Sequence, residues 1–162
     1  MAGAWHAVGV KRSAGILLYR VRDGVVEVLL GHPGGPWFER KDDGVWTVPK
    51  GEYEPDEPAL DAARREFTEE IGTPPPDGEP LPLGETVQSN GKIATVWAVE
   101  GDLDVTEIRC NLFEMEWPPR SGRLQSFPEL DRAAWFDLAT ARRKAFASQG
   151  PFFDRLAEHL AR

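Results

Sequence analysis

The segment 58–71 reads as a single helix, and that helix dictates what the rest of the chain must supply. Pro58 suits a first helical turn, and Asp56 or Glu57 just before it suits the positive helix end. Gly72 stands where a left-handed C-cap belongs, and Pro74-Pro75-Pro76 forbids continuation. With ~100° of turn per residue counted from Ala63, Phe67 falls near ~40°, Leu60 near ~60° and Ile71 near ~80°. These four residues make one apolar stripe, which must be covered by other parts of the chain. Glu70 falls near ~−20°, Glu66 near ~−60° and Glu69 near ~−120°. The three glutamates are therefore neighbours on the adjoining face, with Glu70 beside the stripe and expected to be the most buried.

Burial and like-charged neighbours both disfavour an ionised Glu70. An acidic helix face is ordinarily solvated and paired with Lys or Arg at helical spacing. Here the only bases in the window are Arg64 and Arg65, and none follows Glu70 for many residues. A hard divalent ion such as Mg²⁺, which takes carboxylate, phosphate and water oxygens, removes the repulsion. The charge distribution singles out the same segment. The net charge is −8, yet residues 51–70 alone carry eight acids and two bases. Residues 71–116 carry nine acids and two bases, a surplus for which the sequence offers no account, and both flanking segments are net positive. So acidic a chain lacks the basic surface that nucleic acid or an anionic membrane requires.

Around the helix the pattern is of strands. Residues 14–21 and 25–30 flank Asp23-Gly24 and read as a hairpin, with 32–36 (His-Pro-Gly-Gly-Pro) as a loop. Residues 83–89 and 92–99 flank Asn90-Gly91, the strongest hairpin signal in the chain. Residues 111–117 alternate as a half-buried strand, 118–128 read as a loop and 133–136 as a short strand. Residues 138–146 and 152–160 look helical. Strands, helix, strands and helices imply an α+β fold with a mixed sheet covered by helices. A length of 162 residues suits one domain, taken as 11–162 after an extension at 1–10. One cysteine, Cys110, precludes an internal disulfide and a cysteine metal site. No apolar run is long enough to span a membrane, and residues 1–6 lack a secretory pattern, so a cytoplasmic location is expected.

The order Gly51, five residues, Glu57, seven residues, Arg65-Glu66-Phe67, one residue, Glu69-Glu70, one residue, Gly72-Thr73 resembles the signature box of the Nudix hydrolases. Every glycine and every charged position of that pattern is present over 23 residues. Phe67 and Thr73 stand where the pattern has aliphatic residues. The resemblance extends from about residue 11 to residue 160 and implies the Nudix fold, an α/β/α sandwich with a mixed central sheet. It further implies a pyrophosphohydrolase that opens a diphosphate linkage in a nucleotide. Glu66, Glu69 and Glu70 would bind Mg²⁺ or Mn²⁺ with the carbonyl of Gly51, Arg65 would orient the glutamates, and Glu57 would support the loop or a second metal. Glu69, or a glutamate from a later loop, would take the proton of the attacking water.

The box leaves the substrate open. The run Trp46-Thr47-Val48-Pro49-Lys50-Gly51 resembles the Trp-x-x-Pro-Lys-Gly entry of diadenosine polyphosphate hydrolases, which places a dinucleoside polyphosphate first. ADP-ribose, an NDP-sugar or a (d)NTP are the alternatives, and a non-catalytic, nucleotide-sensing module is the alternative of another class. Lys50 is either a phosphate contact or an exposed loop lysine, and Trp46 reads as core. Tyr19, Trp37, Phe38, Trp97 and Phe127 are the aromatic planes on which a base could stack; each reads more readily as packing, though Trp37-Phe38 follow a glycine-rich loop and could line a cleft. Arg120 and Arg123 could meet a longer phosphate chain. Glu129 is either a further acidic group at the site or a cap. His32 reads as a surface histidine, and His6 and His159 suggest nothing. The oligomeric state is not legible.

Overall fold

Residues 12–19 are buried without interruption, which is the mark of a strand covered on both faces. The computed structural model describes residues 10–162. Residues 1–9, and with them His6 and nearly all of the expected extension, lie outside the described residues. The elements follow as β1 (Arg12–Arg22), β2 (Val25–Pro33), β3 (Lys50–Glu52), α1 (Ala59–Ile71), β4 (Leu81–Val87), β5 (Ile93–Glu100), β6 (Leu112–Glu116), β7 (Leu124–Pro128), β8 (Leu130–Asp137), α2 (Leu138–Lys144) and α3 (Gly150–Leu160). Five strands run in the order β4-β5-β1-β2-β8, with β3 also paired to β1. β1 and β5 are parallel and the other pairs antiparallel, so the sheet is mixed.

Alternation along β1 divides the core in two. Ala14, Ile16 and Leu18 meet Ala62, Ala63, Phe67 and Ile71 of α1 on one face. Leu17 and Tyr19 meet Ala141, Phe152, Phe153 and Leu156, from α2 and α3, on the other. The apolar stripe of the sequence is thus the face by which α1 is anchored, with Leu60 at its partly buried edge. Phe67 is fully buried, and its replacement by alanine would cost about 3–5 kcal/mol. At the helix start Pro58 is the N-cap, and its ring has no acceptor with which to cap the helix, while the Glu57 carboxylate turns to Arg65. At the end, Gly72 adopts φ 92° and its amide donates to the Thr68 carbonyl. A Cβ there would stand 2.5 Å from the carbonyl oxygen of Arg109, so only glycine fits.

Three expectations need correction. Residues 118–128 are not all loop. β7 pairs with β6 as a separate two-stranded ribbon, and the Glu116 carboxylate accepts from the Arg120 and Gly122 amides in its turn. The expected loop 32–36 begins two residues late, because β2 runs on through Pro33. His32 is therefore no surface histidine but fully buried. Its Nε2 lies 2.6 Å from the Lys41 carbonyl and its Nδ1 2.9 Å from Asp131, which ties the loop after β2 back to β8. Since a carbonyl only accepts, Nε2 carries the hydrogen.

Candidate active site

The box folds into one corner around Arg65. Its guanidinium donates to both oxygens of Glu57 at 2.9 Å, to Glu66 at 2.9 Å and to Glu69 at 3.3 Å. The bidentate bond to Glu57 holds that carboxyl below the usual range and raises the guanidinium further above its own. Arg65 thus fixes the loop 51–57 to α1 and aims Glu66 and Glu69 in the same direction. Gly51 completes the corner. A Cβ at this position would lie 2.2 Å from the Glu66 carboxylate, so any side chain at residue 51 would displace that group.

Glu70 stands apart from this network. It is buried, it has no ion pair with Arg65, and it accepts from the backbone amide of Lys50. Burial comes first, and then the charges of Glu66 and Glu129, in pushing its pKa up to about 9. Glu66 and Glu129 are also raised by burial, Glu129 with a further contribution from Glu69. Burial lowers the Lys50 ammonium, partly offset by Glu70. Glu66, Glu69, Glu70 and Glu129 therefore lie within reach of one another's charge. Glu129 is delivered there by the backbone: the Asn111 amide donates to the Glu69 carbonyl at 3.0 Å, and the Glu129 amide donates to the Asn111 carbonyl at 2.9 Å. Cys110 accepts from the Leu130 amide alongside, with its thiol pushed up to about 11, chiefly by burial.

Among the described residues, no three His, Cys, Asp or Glu side chains converge tightly enough to enclose an ion as they stand. Arg65 occupies Glu66 and Glu69, and Glu70 is turned to Lys50. The donor set nonetheless suits a hard cation. It consists of carboxylate oxygens, and one member, Glu70, is pushed toward its neutral form by burial first and by Glu66 and Glu129 second.

A cleft of 330 Å³ opens beside these carboxylates. Lys50, Glu70 and Glu129 line it together with Phe38, Gln88, Phe146 and Gln149. Among the expected residues the structure brings Glu66, Glu69, Glu70, Arg65, Glu57, Gly51, Lys50 and Glu129 into one region. It does not bring Trp37, Arg120 or Arg123 into the cleft. Trp37 is 56% exposed and packs edge-on against Trp117 of the ribbon, while both arginines lie exposed in the ribbon turn. Of the aromatic candidates only Phe38 lines the cleft; Tyr19 is core, as is Trp46. Sequence reasoning missed Phe146, Gln88 and Gln149. Nothing marks them in the sequence, since each belongs to a segment that meets the others only on folding.

A family model described as NUDIX domain matches residues 9–156. No curated protein matches by sequence. Among solved structures, a C. elegans Ap4A hydrolase binary complex aligns with a TM-score of 0.64 at 23% identity, covering 94% of this chain and 98% of that one. The NUDIX domain of Shewanella oneidensis NrtR, complexed with ADP ribose, aligns at 0.63 and 16%, covering 96% and 92%. A Nudix hydrolase from M. smegmatis, RenU, aligns at 0.58 and 20%, covering 92% and 84%. At these identities the solved structures establish the fold, and the match over nearly the whole length establishes the family: the chain belongs to the NUDIX domain family.

Proposed function

We propose that the chain is a Mg²⁺- or Mn²⁺-dependent hydrolase of nucleotide phosphoanhydrides, with a dinucleoside polyphosphate as its substrate. The observation that carries the reading is the gathering of carboxylates at a nucleoside-sized cleft, whose wall holds Glu70 and Glu129 beside Lys50. Glu66, Glu69 and Glu70 with the Gly51 carbonyl would hold the ions. Bound there, a divalent cation neutralises phosphate oxygens and lowers the pKa of a water.

The chain's own residues do the rest. Arg65 keeps Glu66 and Glu69 in one orientation through its bond to Glu57, which reduces the reorganisation needed on binding. Lys50 offers its ammonium to a phosphate from the cleft wall. Glu69 is the most solvent-open of the three box glutamates that would hold the ions, so a water can rest against it and pass it a proton, within reach of the charge of Glu129. The Trp-x-x-Pro-Lys-Gly entry and the likeness to an Ap4A hydrolase support the choice of substrate. The likeness to a domain complexed with ADP ribose supports ADP-ribose as the second reading. Diadenosine polyphosphates, ADP-ribose and dNTPs, each incubated with Mg²⁺ and read by chromatography, decide between them. Fastest turnover is expected with the diadenosine polyphosphates. Turnover of ADP-ribose alone would transfer the assignment, and no turnover of any would refute it.

A further inference from the structure

The turn between β4 and β5 is unusually well fixed for a loop at the edge of a cleft. The Gln88 amide donates to the Lys92 carbonyl at 2.8 Å, the Gln88 carbonyl accepts from Gly91 at 2.9 Å, and Asn90 Oδ1 accepts from the Lys92 amide at 3.0 Å. The Lys92 ammonium is paired with Glu52, next to Gly51 of the box. The backbone of Gln88 is thus held on both sides and coupled to the strand that carries Lys50. Its side chain lines the cleft with Lys50, Glu70, Phe38 and Phe146. Yet the side-chain nitrogen of Gln88, Nε2, is buried and has no hydrogen-bond partner among the described residues. The neighbouring Gln149 shows the contrast. Its oxygen accepts from the Val48 amide and its nitrogen donates to Thr47, so it is fully used in structure.

A buried amide without a partner costs stability, and folding alone gives no reason to retain it in place of an apolar residue. A ligand does. We infer that Gln88 reads the nucleoside end of the substrate: its side-chain amide rotates into the cleft and donates to a ring nitrogen or carbonyl of the base seated against Phe38 and Phe146. The inference rests on the nucleotide reading above and adds the group that recognises the base. A neutral amide offers little to a charged phosphate chain, which Lys50 already serves. Beside two aromatic walls it offers what a nucleobase requires, a donor aligned with a flat apolar surface. The cleft volume of 330 Å³ suits one nucleoside rather than two, so the recognised base is on one side of the scissile bond only.

Two variants test this. Gln88→Met keeps the length of the side chain and removes the donor, and Gln88→Glu keeps its shape and removes the NH₂. Binding of AMP and of GMP is measured by calorimetry, with inorganic pyrophosphate as the control ligand, and the melting temperature of the unliganded protein is recorded. Both variants are expected to bind the preferred nucleoside monophosphate about three- to tenfold more weakly, the value of one hydrogen bond. Pyrophosphate binding to Gln88→Met should be unchanged, and its melting temperature should be equal to that of the wild type or higher. Equal nucleotide affinity in Gln88→Met overturns the inference. So does a parallel loss of pyrophosphate binding, a lowered melting temperature, or a wild type that binds neither nucleotide. None of these readouts requires turnover, so they fail separately from the substrate assignment.

Discussion

Residues 51–70 and 71–116 carry nearly the same excess of acid, and the structure handles the two excesses in opposite ways. All nine acids of the second segment are exposed, and its best-placed members are paired with arginines of β1. Glu85 meets Arg12 at 2.7 Å, and Asp102 meets Arg20 at 2.7 Å, where the guanidinium also lies over Trp135. The positive N-terminal segment and the negative middle of the chain thus neutralise one another across the sheet. In the first segment Glu52, Glu54, Asp56 and Asp61 are exposed as well, but Glu57, Glu66 and Glu69 share a single guanidinium, and Glu70 is buried with none. Charge that could have been solvated has been collected beside a cleft. Stability alone would favour the second arrangement, so the first is to be explained by what it binds.

The contrast can be broken at several points. Glu70→Gln and Glu69→Gln should each lower kcat/KM by about a hundredfold or more, on the order of 3 kcal/mol of transition-state stabilisation, with circular dichroism unchanged. Asp102→Asn should leave turnover within about twofold. Near-normal turnover in both glutamine variants would remove the distinction between the segments. Gly51→Ala comes next. Its methyl group would overlap the Glu66 carboxylate and push it aside, so activity should fall about tenfold or more while the sheet survives. An alanine variant with full activity would show that Gly51 does not shape the site.

The metal-free protein supplies a pH test. The Glu70 pKa is raised from 4.5 to about 9, so the folded state holds a proton that the unfolded state releases. That contribution is complete below about 4.5 and is lost as the pH rises through about 9, so the melting temperature should fall over this interval. Glu70→Gln should flatten the fall. An equally steep fall in the variant would place the proton elsewhere. Mg²⁺ should raise the melting temperature of the wild type, since it binds the folded state, and should do so more at higher pH, where Glu70 gives up its proton more readily. The smallest effect belongs to the second segment: Asp102→Asn should cost under about 1 kcal/mol, and less in high salt, because the carboxylate is largely in water.

What the sequence disclosed follows the range of the interactions involved. The α1 stripe, its C-cap and the deeper burial of Glu70 than of Glu66 or Glu69 depend on helical geometry within 13 residues, and they were legible. So were both principal hairpins. β7 was not, since Leu124-Gln125-Ser126-Phe127 has neither a clear alternation nor a bulky β-branched run and becomes a strand by pairing with β6. His32 looked superficial because prolines and glycines follow it, although Lys41 and Asp131 enclose it in the fold. The cleft was the least legible part. Pro33, Lys50, Gln88, Glu129 and Phe146 come from five separate segments, and no local pattern announces that they meet. Trp37 drew attention by its size and its neighbours, but the ribbon draws it away from the cleft to Trp117.

The central claim is that the acid collected on α1 is a cation site. The most direct test is a calorimetric titration of Mn²⁺ into metal-stripped wild type, Glu70→Gln and Asp102→Asn. The account predicts binding to the wild type and to Asp102→Asn with the same affinity, and a loss of about tenfold or more in Glu70→Gln. Equal affinity in all three proteins would contradict it.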